Sequence, residues 1–421
     1  MARRWPLRSI MECVAPTKYA TQIGPFGSAL KVEDYRPSGV PLLRGVNVNK
    51  GRFHDDDFVF IDAEVADSLS KYEADPGDII LVHRGTLGKI GLIPKDARYP
   101  RYLMGNSMLR IRTDASKLLP EYLYYWLSSA EGQHFVFSRA VQVGVPALPT
   151  PLKTLRELLL PVPPIHEQEQ MVAVLDALDD KIELNRRMNG TLEALAQAVF
   201  KEWFVERRPE RAEGKAEEGW ETMMLDEVAN YRNGLALQRF RPKEGEEPLP
   251  AIKIAQMRTG LPDSGEWASP NIDPECTVYD GDVVFSWSGS LMAILWCGGK
   301  AALNQHLFKV TSDKFPKWFY YLWTQHYMPE FQGIASNKAT TMGHINRNHL
   351  KVPVPIPPAA LLKRGDEVIA PLLDRLVSNN LETRTLTALR DTLLPKLMRG
   401  EVRVRSGQAS QHTANSDLQE M

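Results

Sequence analysis

Two segments of the 421-residue chain space their apolar positions by alternate threes and fours. In the first, Met171, Leu175, Leu178, Ile182, Asn185, Asn189, Leu192, Ala196, Val199 and Trp203 fall on one helical face. In the second, Ile369, Leu372, Leu376, Asn379, Thr383, Leu386, Leu393 and Leu397 do the same, with Arg390 interrupting. This is the heptad seam of a coiled coil, so the pattern predicts two long helices. Pro163-Pro164 and Pro357-Pro358 stand where each helix would begin, with φ already set for a first turn, and Glu167 and Glu169 suit the positive end of the first helix dipole. Asn185 and Asn379 occupy equivalent seam positions. A buried Asn costs stability and fixes register, so both read as register devices rather than as chemistry.

The remaining sequence reads as α+β, with short β-branched or aromatic runs such as Asp78 to Val82 and Asp282 to Phe285, bounded by Gly, Asp and Pro, and with aromatic helices near Tyr122 to Leu127 and Trp318 to Trp323. These pairs are one pattern written twice. Gly77-Asp78-Ile79 returns as Gly281-Asp282-Val283, Gly85-Thr86-Leu87 as Gly289-Ser290-Leu291, Pro120-Glu121-Tyr122 as Pro316-Lys317-Trp318, and Pro161-Val162-Pro163-Pro164 as Pro355-Ile356-Pro357-Pro358. The unit is a globular region followed by a long helix.

Chain geometry then constrains the layout. A helix from Ile165 to Phe204 is about 60 Å long at ~1.5 Å per residue. The charged connector Val205 to Gly219 spans at most about 50 Å fully extended. It cannot carry the chain back along the helix. The expectation is two similar α/β domains separated by two long antiparallel coiled-coil helices, with an internal pseudo-two-fold repeat. The boundaries are 1–160 for the first globular domain, 161–205 for the first helix, 206–219 for a linker, 220–356 for the second domain, 357–400 for the second helix and 401–421 for a disordered polar tail.

Composition narrows the chemistry. Fifty-one Lys and Arg face fifty-two Asp and Glu, a net charge of -1, which excludes a simple polycation coating nucleic acid. Residues 1–160 hold 21 Lys and Arg against 17 Asp and Glu, a local surplus of four. No run approaches the roughly 18 apolar residues of a membrane span, and the three distant cysteines form no CxxC pair, so a reducing cytoplasm is expected. Nucleotide-binding loops, HExxH, GxSxG and Asn-Pro-Pro-Tyr are missing, and Asp55-Asp56-Asp57 beside His54 reads as a solvated loop. The pattern therefore predicts a recognition or scaffolding subunit with no catalytic residues and no metal.

Gly-punctuated polar loops are the candidate DNA contacts. In the first half they carry Arg44, Asn47, Asn49, Lys50 and Arg52, then His83, Arg84, Thr86 and Lys89. In the second they carry Lys253, Gln256 and Arg258, Trp287, Ser288 and Ser290, Asn304, Gln305 and His306, and Lys338, Thr340, Thr341, His344, Asn346 and Arg347. Arg reads guanine edges, Asn and Gln read adenine, and Ser, Thr and Lys hold phosphates. For any single residue the alternative is a side chain bonded to its own loop.

At these residues the chain resembles the specificity subunits of type I restriction-modification systems over nearly its full length. The resemblance rests on Gly24-Pro25-Phe26-Gly27-Ser28-Ala29-Leu30, Pro163-Pro164-Ile165-His166-Glu167-Gln168, Phe200-Lys201-Glu202-Trp203-Phe204, Asn304-Gln305-His306 and the ending Leu393-Leu394-Pro395-Lys396-Leu397-Met398-Arg399-Gly400. Ala359 to Lys363 departs from it, lacking the Glu-Gln turn. The resemblance implies a non-catalytic subunit that reads a bipartite, asymmetric site in double-stranded DNA, one half-site per domain. Two modification subunits would bring S-adenosylmethionine and methylate adenine, and restriction subunits would use ATP and Mg. The outer helix faces with Trp203 and Phe204 would dock the modification subunits, with core packing the alternative for Trp203. The rival reading is a protein-binding scaffold with two heads on a coiled-coil rod.

Overall fold

A computed structural model describes residues 5–27, 29–49, 52–141, 143–207, 219–262, 265–336 and 343–404. The chain divides into two compact units, one running to Asp179 and resuming at Ala388, the other Asp180–Thr387. Both boundaries fall inside long helices rather than at the ends of the α/β domains. The reason lies in the core of the first unit, where Met171, Val172 and Leu175 from one long helix and Leu394, Leu397 and Met398 from the other pack with Tyr122, Leu123 and Trp126. Those helix ends bury their apolar faces in the domain itself.

In the first unit, strands Ile90–Leu92, Ile79–Val82, Met108–Ile111 and Thr21–Ile23 lie in that order in an antiparallel sheet. A second sheet runs Tyr35–Arg36, Val59–Ile61, Val40–Leu43, Tyr102–Met104, Glu73–Ala74, with one parallel pairing between Val40–Leu43 and Tyr102–Met104. Fully buried runs such as Ile79-Ile80-Leu81-Val82 have both faces covered, which is why they read as continuous apolar sequence instead of alternating. Strands Leu7–Ser9 and Leu159–Pro161 pair separately.

The second unit repeats this topology. Its sheet Asn230–Asn233, Leu307–Thr311, Val283–Ser286, Met292–Leu295 has the same antiparallel order, and Leu249–Ile252 again pairs in parallel with Ala301–Leu303. Glu221–Met224 pairs with Pro353–Ile356 as Leu7–Ser9 does with Leu159–Pro161. The aromatic helices Pro120–Ser128 and Lys317–His326 occupy the predicted places. The duplication read from short motifs is thus a duplication of strand order.

The first long helix is α-helical over Ile165–Phe200 and ends in a π-helical turn, Lys201–Val205; the second is continuous over Ala359–Met398. Ala359 opens that helix without an acidic turn. In the second unit the helices run antiparallel. Asn185 Nδ2 donates to Glu382 Oε2 (2.9 Å) and Asn379 O (3.4 Å), while Asn189 Nδ2 donates to Asn380 Oδ1 (2.8 Å) and Leu376 O (3.3 Å). Asn379 Nδ2 donates to Asn189 Oδ1 at 2.9 Å, so the buried Asn185 and Asn379 are joined through one seam network.

Three details depart from the expected seam. Leu373 and Leu394 are buried beside the expected Leu372 and Leu393, which are half-buried against the same cores, so the apolar stripe is wider than the two-position seam. Arg390 does not merely interrupt: Nη1 donates to the buried Asp179 at 2.8 Å, and the Tyr125 hydroxyl donates to Asp179 (3.1 Å) and Asp176 (2.8 Å). Phe204 is fully buried against Phe200, Trp318 and Phe319, with ring centroids 5.1–6.0 Å away, so it is core and offers no docking surface. Trp203 packs against the same core with the Arg364 guanidinium 4.5 Å from its ring.

Candidate nucleic-acid interface

In the first unit the turn joining strands Ile79–Val82 and Ile90–Leu92 presents His83, Arg84, Thr86 and Lys89. Arg84 and Thr86 are exposed, and His83 and Lys89 are half-buried. The turn is tight because Gly85 and Gly88 adopt φ of 81° and 80°. At Gly88 a Cβ would stand 2.9 Å from the Phe137 ring, so only glycine lets the loop close there. Burial pushes the His83 imidazole pKa down, helped by the neighbouring Arg84 charge and outweighing nearby backbone carbonyls.

The Arg44 loop lies alongside, since a Cβ on Gly45 would sit 3.5 Å from Thr86 Oγ1. Asn47 is fully buried. It accepts from Arg44 N (2.9 Å) and donates to the carbonyls of Asp56 (2.8 Å) and His54 (3.3 Å), so its polar atoms hold the loop together. Arg44 leans on Asp57 at 3.6 Å. Asn49 and Arg52 pair across the ribbon Val48–Asn49/Arg52–Phe53. Lys50, Lys338, Thr340 and Thr341 lie outside the described residues. Asp55 accepts from Tyr102 Oη (2.7 Å) and from the backbone of Arg98, which explains the acidic run as loop structure.

The second unit assembles its loops more tightly. Trp287 Nε1 donates to Asn233 Oδ1 (3.0 Å), and the Trp287 ring lies 5.6 Å from His306 and 6.4 Å from His344. Ser288 Oγ and His306 Nδ1 are 3.1 Å apart, Gln305 Nε2 and His306 Nε2 3.3 Å. The exposed Arg258 donates to Ser290 Oγ. Ser288 bridges to His344 through the backbone, and Ile345 N donates to Trp287 O at 3.0 Å. Five predicted residues, Arg258, Trp287, Ser290, His306 and His344, therefore share one surface, with Ser288 buried beneath them.

Others serve the loops themselves. Gln256 Oε1 accepts from Lys253 N at 3.2 Å, Asn304 Oδ1 from His306 N at 3.2 Å, and Asn346 Oδ1 from Asn348 N at 3.1 Å. Lys253 pairs with Glu266, and Arg347 donates to Tyr231 O at 3.1 Å. Asn233 and the loop Val141–Ala147, which bonds to the Arg84 turn, were not predicted.

Two α/β heads of one topology, each gathering cationic, hydroxyl and ring side chains on loops beside the same central strand, define a duplicated recognition protein on paired long helices. A family model, the type I restriction modification DNA specificity domain, matches residues 31–194 and again 217–390. The chain belongs to that family. It is 23% identical over 345 residues to the type I restriction enzyme MjaIX specificity subunit of Methanocaldococcus jannaschii, covering 78% of each chain. With the HindI specificity subunit of Haemophilus influenzae it shares 21% identity over 374 residues, 72% of this chain and 81% of that one. The fold is that of the type I restriction-modification S subunit of M. genitalium, with a TM-score of 0.57 at 17% identity over 93% of this chain and 96% of that chain. Among the described residues no helix is long and apolar enough to cross a membrane.

Proposed function

We propose that this chain is the DNA sequence-specificity subunit of a type I restriction-modification complex. Each domain reads one half of a bipartite, asymmetric site in double-stranded DNA, and the helix pair sets the gap between the halves. The observation that carries this reading is the matched placement of the two loop sets: Arg84 and Thr86 occupy the turn after Ile79–Val82, and Ser288 and Ser290 the turn after Val283–Ser286, while their neighbours differ in residue type. One scaffold with different side chains suits two different half-sites.

On this reading the chain catalyses nothing and binds no cofactor. Two modification subunits supply S-adenosylmethionine chemistry at adenine, and restriction subunits supply ATP- and Mg-dependent translocation and cleavage, in the cytoplasm. The contacts to bases and phosphates come from Arg84, Thr86 and Lys89 in the first head and from Arg258, Trp287, Ser290, His306 and His344 in the second, with the buried Ser288 positioning His306. Asn185 and Asn379 fix the helix register.

Single-molecule sequencing of adenine methylation in the host, with and without the gene, tests the proposal. A two-part motif with a fixed gap, present only with the gene, is the expected result. Methylation that is unchanged by the deletion would refute it.

A further inference from the structure

Beside Arg84 stands a loop whose surface is apolar. Val143 is 90% exposed, more than any other large apolar side chain among the described residues, and Val145 (58%), Val141 (49%) and Phe137 (43%) follow close by. The loop is held firmly at its base. Val141 N donates to Ala147 O (2.9 Å) and Ala147 N to Val141 O (3.1 Å), closing a hairpin around Gly144, whose φ is 79°. Gly85 N donates to Pro146 O (2.9 Å) and Leu148 N to His83 O (2.8 Å), which ties the hairpin to the Arg84 turn by its main chain.

Several exposed apolar side chains close together along the chain mark a contact surface. Because the hairpin and the Arg84 turn are bonded to each other, a partner touching Arg84 meets the valines. Cβ atoms added at Gly85 and Gly144 would both meet open space, so the approach is clear. The apolar feature on a base edge is the pyrimidine 5-methyl group in the major groove. Valine suits it: the side chain ends one bond beyond Cβ and its χ1 is restricted, so it presents a fixed apolar cap. It is too short for the wedge role that longer residues play between base steps.

We propose that Val143 and Val145 read the 5-methyl group of a thymine in the half-site bound by the first head. The proposal rests on that head binding DNA. The test uses the full chain assembled with its modification subunits, and duplexes carrying the site found by methylation sequencing. Each thymine of the first half-site is replaced in turn by deoxyuridine, and each cytosine by 5-methylcytosine. One deoxyuridine should weaken binding about fourfold, the worth of burying one methyl group. The variant Val143→Ser/Val145→Ser, which removes every γ-methyl, should bind the unmodified site more weakly by at least a similar factor and be indifferent to that deoxyuridine.

The proposal is overturned if every thymine tolerates deoxyuridine, if the half-site has no thymine, or if the Ser variant keeps the same deoxyuridine sensitivity. Tighter binding on 5-methylcytosine, with no thymine effect, would assign the valines to a methylated cytosine and overturn it too. Should the wild-type complex show no site-specific, salt-sensitive binding, the DNA reading of the head falls and takes this proposal with it. Site-specific binding that ignores deoxyuridine refutes the valines alone.

Discussion

The ion pair between Asp179 and Arg390 gives a quantitative test of how the long helices are held in the first unit. Asp179 has a side chain only 7% exposed, while Arg390 is 26% exposed and also donates to Asp391 from Nε (2.9 Å) and Nη2 (2.7 Å). Removing one member of a buried pair strands the other, at about 3–5 kcal/mol. The structure makes the two losses unequal. Arg390→Leu leaves a buried carboxylate with one bond from Tyr125, and should cost the full ~3–5 kcal/mol. Asp179→Leu leaves a guanidinium that keeps Asp391 and some water, and should cost about 1–3 kcal/mol, the range for an incompletely satisfied buried group. The double Leu variant restores an apolar seam beside Leu175 and Leu394. It should lie within about 1 kcal/mol of wild type or above it, since apolar replacement of a buried pair is often neutral or stabilising.

Hydrogen exchange read by mass spectrometry on peptides from 165–179 and 388–398 reports the opening free energy of this unit directly. Two outcomes would refute the reasoning. Single variants within about 0.5 kcal/mol of wild type, the usual range of inconsequential surface changes, would mean the pair is not buried in solution. Losses that simply add in the double variant would mean the two side chains do not interact.

Gly365→Ala should raise helix propensity by up to ~1 kcal/mol yet destabilise the second unit. A Cβ there would lie 2.4 Å from the Trp318 ring, which is itself held by Nε1 donating to Asp366 at 2.6 Å, so overpacking of ~1–3 kcal/mol outweighs the gain; a rise in melting temperature would contradict this. His83 is neutral in the folded state over a wider pH range than an exposed imidazole, because its pKa is lowered from 6.5. Stability of the first unit should therefore hold above that value and fall as pH drops below it, and a His83→Gln chain should show a flatter denaturation midpoint between pH 7 and 5; parallel profiles would exclude His83 as the source. Deleting one heptad from each long helix should shorten the gap in the methylated motif by about three base pairs, since ~10 Å of helix is lost, with both half-sites retained; an altered half-site would contradict the spacer role. Arg84→Ala should relax the first half-site alone and Arg258→Ala the second, each by roughly 1–3 kcal/mol of discrimination in competition binding.

The features legible in the sequence were those that repeat. Both long helices, both aromatic helices and the strands around Gly77-Asp78 and Gly281-Asp282 fall where the motifs put them, because a duplicated pattern is read twice and a heptad seam depends only on which side chains are apolar. The fold family followed from motif order for the same reason. What escaped were decisions made by partners distant in sequence. Asp179 shares the face of Leu175 and Ile182 while the exposed Asp180 does not, but a carboxylate there reads as a break in the seam until Arg390 and Tyr125 arrive from elsewhere to pair with it. Gly365 looks like a helix breaker until Trp318 stands against it.

The polar loops show the same limit from the side of function. Residue type selects Asn47, Gln256 and Asn304 as base readers, but an amide that can satisfy a base edge can equally satisfy a tight turn, and in these loops it does. Arginine is different, because a guanidinium has five donors and no acceptor and is rarely exhausted by one backbone carbonyl. Arg84, on an exposed turn closed by glycines and not by its own side chain, keeps that capacity for a partner. The same logic explains why an apolar hairpin went unnoticed. Charge and amide content do not point to valine, although the thymine 5-methyl group is a base feature that only an apolar side chain matches. Recognition surfaces of this kind are therefore found less by residue type than by asking which side chains the fold leaves both fixed and unspent.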